Sequence, residues 1–202
     1  MTNVLDMSTK RLLARKTRSV KRARRARLPP STEVKFFDSV IDNSAVSISS
    51  SGEFKLDSLH LTYQGTDEDE RIGRKMTVRG VSLKGSMTPV QGRARFMLIV
   101  DKQCNGAVPA VTDVLETADI DSHRNLSNQN RFRVLWDRTY DTKDTGKTTI
   151  AKQMSGLTIP IEWSSTAGTI ASIKSNNLTL LQIADGGLVK MYMRTRVLYT
   201  DL

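Results

Sequence analysis

The chain has 202 residues, with 31 Lys and Arg against 21 Asp and Glu, two His, a single Cys and a formal net charge of +10. One cysteine excludes an intrachain disulfide or a cysteine metal cluster, and no apolar run is long enough to cross a membrane as a helix. The start lacks the apolar region of a secretory signal, and with one Cys the chain reads as made in a reducing compartment.

The charge is unevenly placed. "KRLLARKTRSVKRARRARLPP", Lys10 to Pro30, holds ten cations and no acid: Lys10, Arg11, Arg15, Lys16, Arg18, Lys21, Arg22, Arg24, Arg25 and Arg27. Asp6 is the one acid in residues 1–28, so nine of the ten net charges lie there and the remainder is nearly neutral. A block of like charges repels itself and buries little, so residues 1–30 read as an arm that does not fold alone. Its natural partner is a polyanion. Without an aromatic residue it is expected to bind phosphate rather than read bases, and seven Arg to three Lys suits bidentate phosphate contacts. A nuclear-localisation signal can overlap this role. Leu12, Leu13 and Val20 make too thin an apolar stripe for a membrane-surface helix, and a solvated tail without partner is the bland alternative.

Residues 31–52 read as a linker leading into a body at 53–202. In the body, period-two alternation predicts strands. Phe54 and Leu56 change phase to Leu59, Leu61 and Tyr63, which predicts a bulge near Asp57-Ser58. Met76 and Val78 slip to Val81 and Leu83 at Gly80. "RFMLIV", Arg95 to Val100, and Leu178 to Ile183 read as strands buried on both faces. Pro109 opens a predicted short helix to Ala118, with Val111, Val114, Leu115 and Ala118 on one face. Phe132, Val134, Trp136 and Tyr140 share a parity. Leu157, Ile159, Ile161 and Trp163 alternate around Pro160, which predicts a sheet edge or strand start, and Val189 to Tyr199 closes the body. Seven or eight strands without alternating helices predict an all-β, antiparallel body: a sandwich, a barrel or a jelly roll.

Catalytic motifs are absent. "DTGKTT" lacks a phosphate-loop glycine, since Asp141 stands there. His60 and His123 have no nucleophile pattern around them. Cys104, beside the Asn105-Gly106 turn signal, reads as an inert exposed thiol, and the run Thr66–Glu70, with four consecutive carboxylates, as a solvated loop. The protein is not expected to be an enzyme.

Four segments in order carry a resemblance: "RIGRKMTVRGVSLKG" (Arg71–Gly85), "RFMLIVDKQCNGAVPAVTDVLETA" (Arg95–Ala118), "SHRNLSNQNRFRVLWDRTY" (Ser122–Tyr140) and "RTRVLYTD" (Arg194–Asp201). Together they resemble capsid proteins of small circular Rep-encoding single-stranded DNA viruses, in the branch related to the satellite tobacco necrosis virus coat protein. The resemblance implies a single eight-stranded antiparallel jelly roll with one short inserted helix and a basic N-terminal arm. It implies sixty copies in a T=1 icosahedral shell, located in the virion, with the arms packaging a single-stranded genome, DNA favoured over RNA. An RNA-packaging satellite-virus coat protein and a cellular non-specific nucleic-acid-binding β-domain protein are the alternatives. The partners implied are further copies of the chain and the genome, with no membrane and no required cofactor. The satellite-virus protein holds calcium between subunits. The matching positions here are Asp201 by its carboxylate and Thr66 and Asp69 by their main-chain oxygens.

Overall fold

The computed structural model describes residues 33–44, 48–55, 59–88, 92–141, 147–185 and 189–201. The basic arm with its ten cations, the bulge expected near Asp57-Ser58 and residues 144–146 of the Gly-Lys-Thr loop lie outside the described residues.

Among these residues the chain forms nine strands: β1 Lys35–Asn43, β2 Glu53–Lys55, β3 Lys75–Thr88, β4 Arg93–Asp101, β5 Phe132–Asp141, β6 Thr148–Trp163, β7 Ile173–Ser175, β8 Asn177–Ala184 and β9 Lys190–Asp201. They make a five-stranded sheet in the order β1-β9-β3-β6-β7 and a four-stranded sheet in the order β2-β8-β4-β5. Every strand pair is antiparallel. The pairs β1–β9, β2–β8, β3–β6 and β4–β5 nest inside one another along the chain. Nesting brings the first and last strands of the body side by side.

The core lies between the sheets. Met76, Val78, Val81 and Leu83 of β3, with Met193, Val197 and Tyr199 of β9, meet Phe96, Leu98 and Val100 of β4 and Leu178 and Leu180 of β8. Burying each such aliphatic side chain contributes on the order of 2 kcal/mol. Phe96 lies 6.4 Å from the Trp136 ring and 6.0 Å from Tyr140. β4 and β8 are buried on both faces, as their apolar runs predict. A second cluster on the outer side joins Met97, Ile99 and Leu181 to Val114, Leu115 and Phe132.

Four sequence expectations need correction. First, the strand count is nine rather than eight, the addition being the three-residue β7. Second, the stretch read as a linker contains β1, so the sandwich begins before residue 53. Its inward positions include the polar Lys35 and Asn43 beside Ile41, and that mixture hides the alternation. What specifies the strand is β9: nine residues pair in unbroken register, and the Ser39 and Thr195 hydroxyls hydrogen-bond across it at 2.7 Å.

Third, the predicted helix shrinks to one turn, α1, Val111–Val114. Leu115 is extended and bridges Arg124, because main-chain pairing from Asn125 N to Val114 O at 2.8 Å and Glu116 N to His123 O at 2.9 Å replaces a second turn. Fourth, Leu59–Tyr63 is not a strand. Leu59 and His60 are both fully buried, which no strand of period two allows on a one-sided surface. The phase slip at Gly80 is present as a register shift between Val78 and Gly80 against both neighbours of β3. Pro160 sits where β6 is beyond its pairing with β7, which reaches only Glu162 and Trp163.

Candidate cation site and nucleic-acid interface

Where β1 starts and β9 ends, three parts of the chain converge. Lys35, the first residue of β1, is only 5% exposed. Its ammonium donates to Glu70 O at 3.0 Å and Asp67 O at 3.2 Å, and lies 3.6 Å from Asp201 Oδ2. Asp201 Oδ2 also accepts from Ile72 N–H at 3.2 Å, while Asp201 Oδ1 is buried with no hydrogen-bond partner. The acidic loop is therefore ordered as a turn: Glu70 N donates to Asp67 O at 3.1 Å, and Asp67 N donates back to Glu70 Oε2 at 3.2 Å. Tyr199, beside this loop, has its hydroxyl pushed above the usual phenol range, first by burial and then by the charges of Asp201, Asp69, Glu33 and Glu70. The field here is negative, and Lys35 is the cation inside it.

Next to Lys35's loop lies a second buried cation. Arg71 is fully buried. Its guanidinium donates to the carbonyls of Gly73 at 2.6 Å, Ser165 at 2.6 Å, Thr62 at 3.3 Å and Ala167 at 3.5 Å, and stands 4.4 Å above the Trp163 ring. Burial pushes its pKa down, and the charge of Asp201 opposes that.

The calcium expectation meets this geometry at Asp201. The carbonyls turned toward the cation position are those of Asp67 and Glu70, each one residue beyond the expected Thr66 and Asp69. A calcium ion needs six to eight oxygens at about 2.3–2.6 Å. Here both of those carbonyls already accept from the Lys35 ammonium. Among the described residues no three His, Cys, Asp or Glu side chains gather as a metal site. Within one chain, the position these two carbonyls face is taken by the Lys35 ammonium.

The solvent face of the five-stranded sheet carries exposed cations. Lys84 of β3 pairs in register with Arg194 of β9, and both are exposed. Arg196 forks onto Asp38 at 2.6 and 2.5 Å, with its guanidinium 4.9 Å from the Phe36 ring. A groove of about 430 Å³ runs between these side chains.

His60 is fully buried beside Trp163, ring centroids 6.1 Å apart, and burial pulls its pKa down to about 3, so it is neutral. His123 is exposed in a cleft of about 820 Å³ elsewhere on the surface. In that cleft Arg95 forks onto Asp137 at 2.9 Å through both nitrogens. Burial pushes the Asp137 carboxyl up, and the hydrogen bonds and charge of Arg95 outweigh it, leaving a net lowering. Cys104 is half-buried rather than exposed. Its sulfur accepts from Asn177 N–H at 3.4 Å, and burial pushes the thiol up, away from thiolate chemistry. Lys35 and Arg71 are the site residues that sequence reasoning missed. Neither lies in a recognisable pattern, and only the three-dimensional meeting of loop carbonyls marks them.

Residues 7–202 match the family described as the satellite tobacco necrosis virus coat protein. The coat protein of maize white line mosaic satellite virus is 27% identical over 133 residues, covering 60% of this chain and 60% of that protein. The chain thus spans about 60% of that relative's length. The solved structure of Desmodium yellow mottle tymovirus aligns over 87% of this chain and 94% of its own, at 11% identity and a TM-score of 0.37. That of Cocksfoot mottle virus aligns over 84% and 95%, at 7% identity and a TM-score of 0.29. The circular single-stranded DNA virus grouping drawn from the sequence receives no support from these matches, whereas the satellite-virus branch does. With nearly its whole length matched, the chain belongs to the satellite tobacco necrosis virus coat protein family.

Proposed function

We propose that sixty copies of this chain close into a T=1 icosahedral shell around a single-stranded genome, and that the arm of residues 1–30 neutralises that genome. The observation that carries the reading is the segregation of charge: nine of ten net positive charges precede residue 29, ahead of a nearly neutral β-sandwich. A body without net charge packs against copies of itself without long-range repulsion. The arm supplies phosphate contacts that need no sequence readout.

The strand orders β1-β9-β3-β6 and β2-β8-β4-β5 support the eight-stranded jelly-roll reading, with β7 as an added strand at one edge. Family membership moves the genome preference from DNA to RNA. The arm itself does not distinguish them, because phosphate contacts do not sense the 2′-hydroxyl. Sixty weak arms on one surface act together, so condensation of the genome and closure of the shell favour each other.

Electron microscopy of the purified full-length protein tests the reading, together with the absorbance ratio at 260 and 280 nm and nuclease digestion of the released nucleic acid. Uniform closed shells holding RNase-sensitive material are expected, as are empty or unassembled particles after removal of residues 1–30. Small oligomers under every salt and calcium condition would overturn the shell and favour a cellular nucleic-acid binder. DNase-sensitive contents would restore the DNA preference.

A further inference from the structure

We propose that Lys35 is the resident cation of the oxygen-lined junction between β1, the loop Thr66–Glu70 and the end of β9, so that this junction is held by an ammonium and not by a divalent ion. The inference goes beyond the shell reading, because the junction lies within one chain.

An ammonium has three donors and no acceptor. Around Lys35 Nζ stand three oxygens: Glu70 O at 3.0 Å, Asp67 O at 3.2 Å and Asp201 Oδ2 at 3.6 Å. Two are neutral carbonyls and one is a carboxylate, the donor set that an oxygen-seeking cation would otherwise take. The lysine side chain is 4% exposed and that of Asp201 15%, so bulk water screens the pair little. A lysine buried to this degree persists where its charge and its donors are both met, and here both are.

The surrounding charge is of the right sign. Asp69, Glu70 and Glu33 act with Asp201 on Tyr199, the residue that pairs with Lys35 across β1 and β9. A calcium ion drawn to these oxygens would meet the ammonium already among them and be repelled by it.

The consequence concerns the root of the arm. Lys35 is the first residue of β1, five positions after Pro30, and Asp201 is the last residue of β9. The clamp therefore ties the start of the body to its end through the acidic loop. A covalently supplied cation keeps that tie at any concentration of free calcium.

The test is thermal unfolding of the full-length protein, with equal ionic strength in chelator and in millimolar calcium chloride. Wild type is expected to give the same Tm in both. Lys35→Ala is expected to lose several degrees in chelator and to recover part of that loss in calcium, because the oxygens then face an open position. Lys35→Met keeps the stem and removes the charge, and provides the comparison if Lys35→Ala does not fold; it is expected to melt below wild type. A wild-type Tm that rises with calcium would overturn the proposal. So would calcium retained by wild type in one-to-one ratio after dialysis, or lysine variants as stable in chelator as wild type.

Discussion

Among the described residues Arg71 is the largest buried cation, and its guanidinium donates to the main-chain carbonyls of Thr62, Gly73, Ser165 and Ala167. It acts as a strut, spreading a rigid fork of donors between the segment at Thr62, the turn at Gly73 and the loop at Ser165. Arg71→Met would leave those carbonyls buried without donors, at about 1–3 kcal/mol each. A loss of at least about 3 kcal/mol in a urea titration is expected, and Arg71→Lys, with one compact ammonium, should recover only part of it. His60 sets a pH limit. Its pKa falls from 6.5 unfolded to about 3 folded because burial disfavours the charged ring. The unfolded chain therefore takes up the proton first. Stability is complete above pH 6.5 and drains away as the pH falls toward 3, by about 1.4 kcal/mol per unit. Between pH 7 and pH 5, wild type should lose about 2 kcal/mol more than His60→Gln, read from denaturant midpoints. Equal losses would show that His60 is protonated within the fold. Neither residue announces itself in the sequence. Arg71 stands among the other basic residues of "RIGRK", and burial of a charge is decided by which carbonyls arrive around it.

Strands show where local pattern suffices and where pairing overrides it. β9 alternates cleanly because one face is core and the other solvent, whereas β4 carries the unbroken apolar run Phe96–Val100 and β8 is mostly apolar, with Thr179 and Gln182 buried as well, because both faces are covered. Those elements were legible. β5 misled in a subtler way. Phe132, Val134, Trp136 and Tyr140 share a parity, yet the register slips at Leu98/Ile99, where Trp136 and Val134 are the successive partners. The extra residue, Leu135, turns the strand over. Phe132 and Val134 join the outer cluster with Val114 and Leu115, while Trp136 and Tyr140 face the main core. A parity rule carries no information across a bulge. β1 was missed for another reason: its stability comes from β9 and from the Lys35 clamp, neither of which is local. The close approach of β3 and β9 gives a direct test of pairing. A Cβ on Gly85 would fall 2.3 Å from Tyr192 O and 2.7 Å from Met193 Cα, both main-chain atoms that cannot swing aside. Gly85→Ala should therefore force the two strands apart and cost about 2–3 kcal/mol or more by chemical denaturation. An unchanged midpoint would mean the strands have slack at this crossing.

The whole molecule joins a polycationic stretch to a nearly neutral body, and that separation of charge was the most legible feature of the sequence, since charge counts need no fold. Its quantitative form is a salt slope. If all ten arm cations meet phosphates on a single strand, the logarithm of the binding constant should fall with the logarithm of salt at a slope near −7. Removing residues 1–30 leaves a body with little net charge, so its slope should fall most of the way to zero, whatever the sequence of the strand. Fluorescence anisotropy with a labelled oligonucleotide across a salt series reads both slopes. The same experiment with RNA and DNA of one sequence should give indistinguishable slopes, because the contacts count phosphates. A steep slope that survived the deletion would move the binding onto the solvent face of the five-stranded sheet. Lys84, Arg194 and Arg196 stand there, and Lys84→Glu with Arg194→Glu would then flatten it. If the arm carries the binding, those two substitutions leave the full-length slope nearly unchanged.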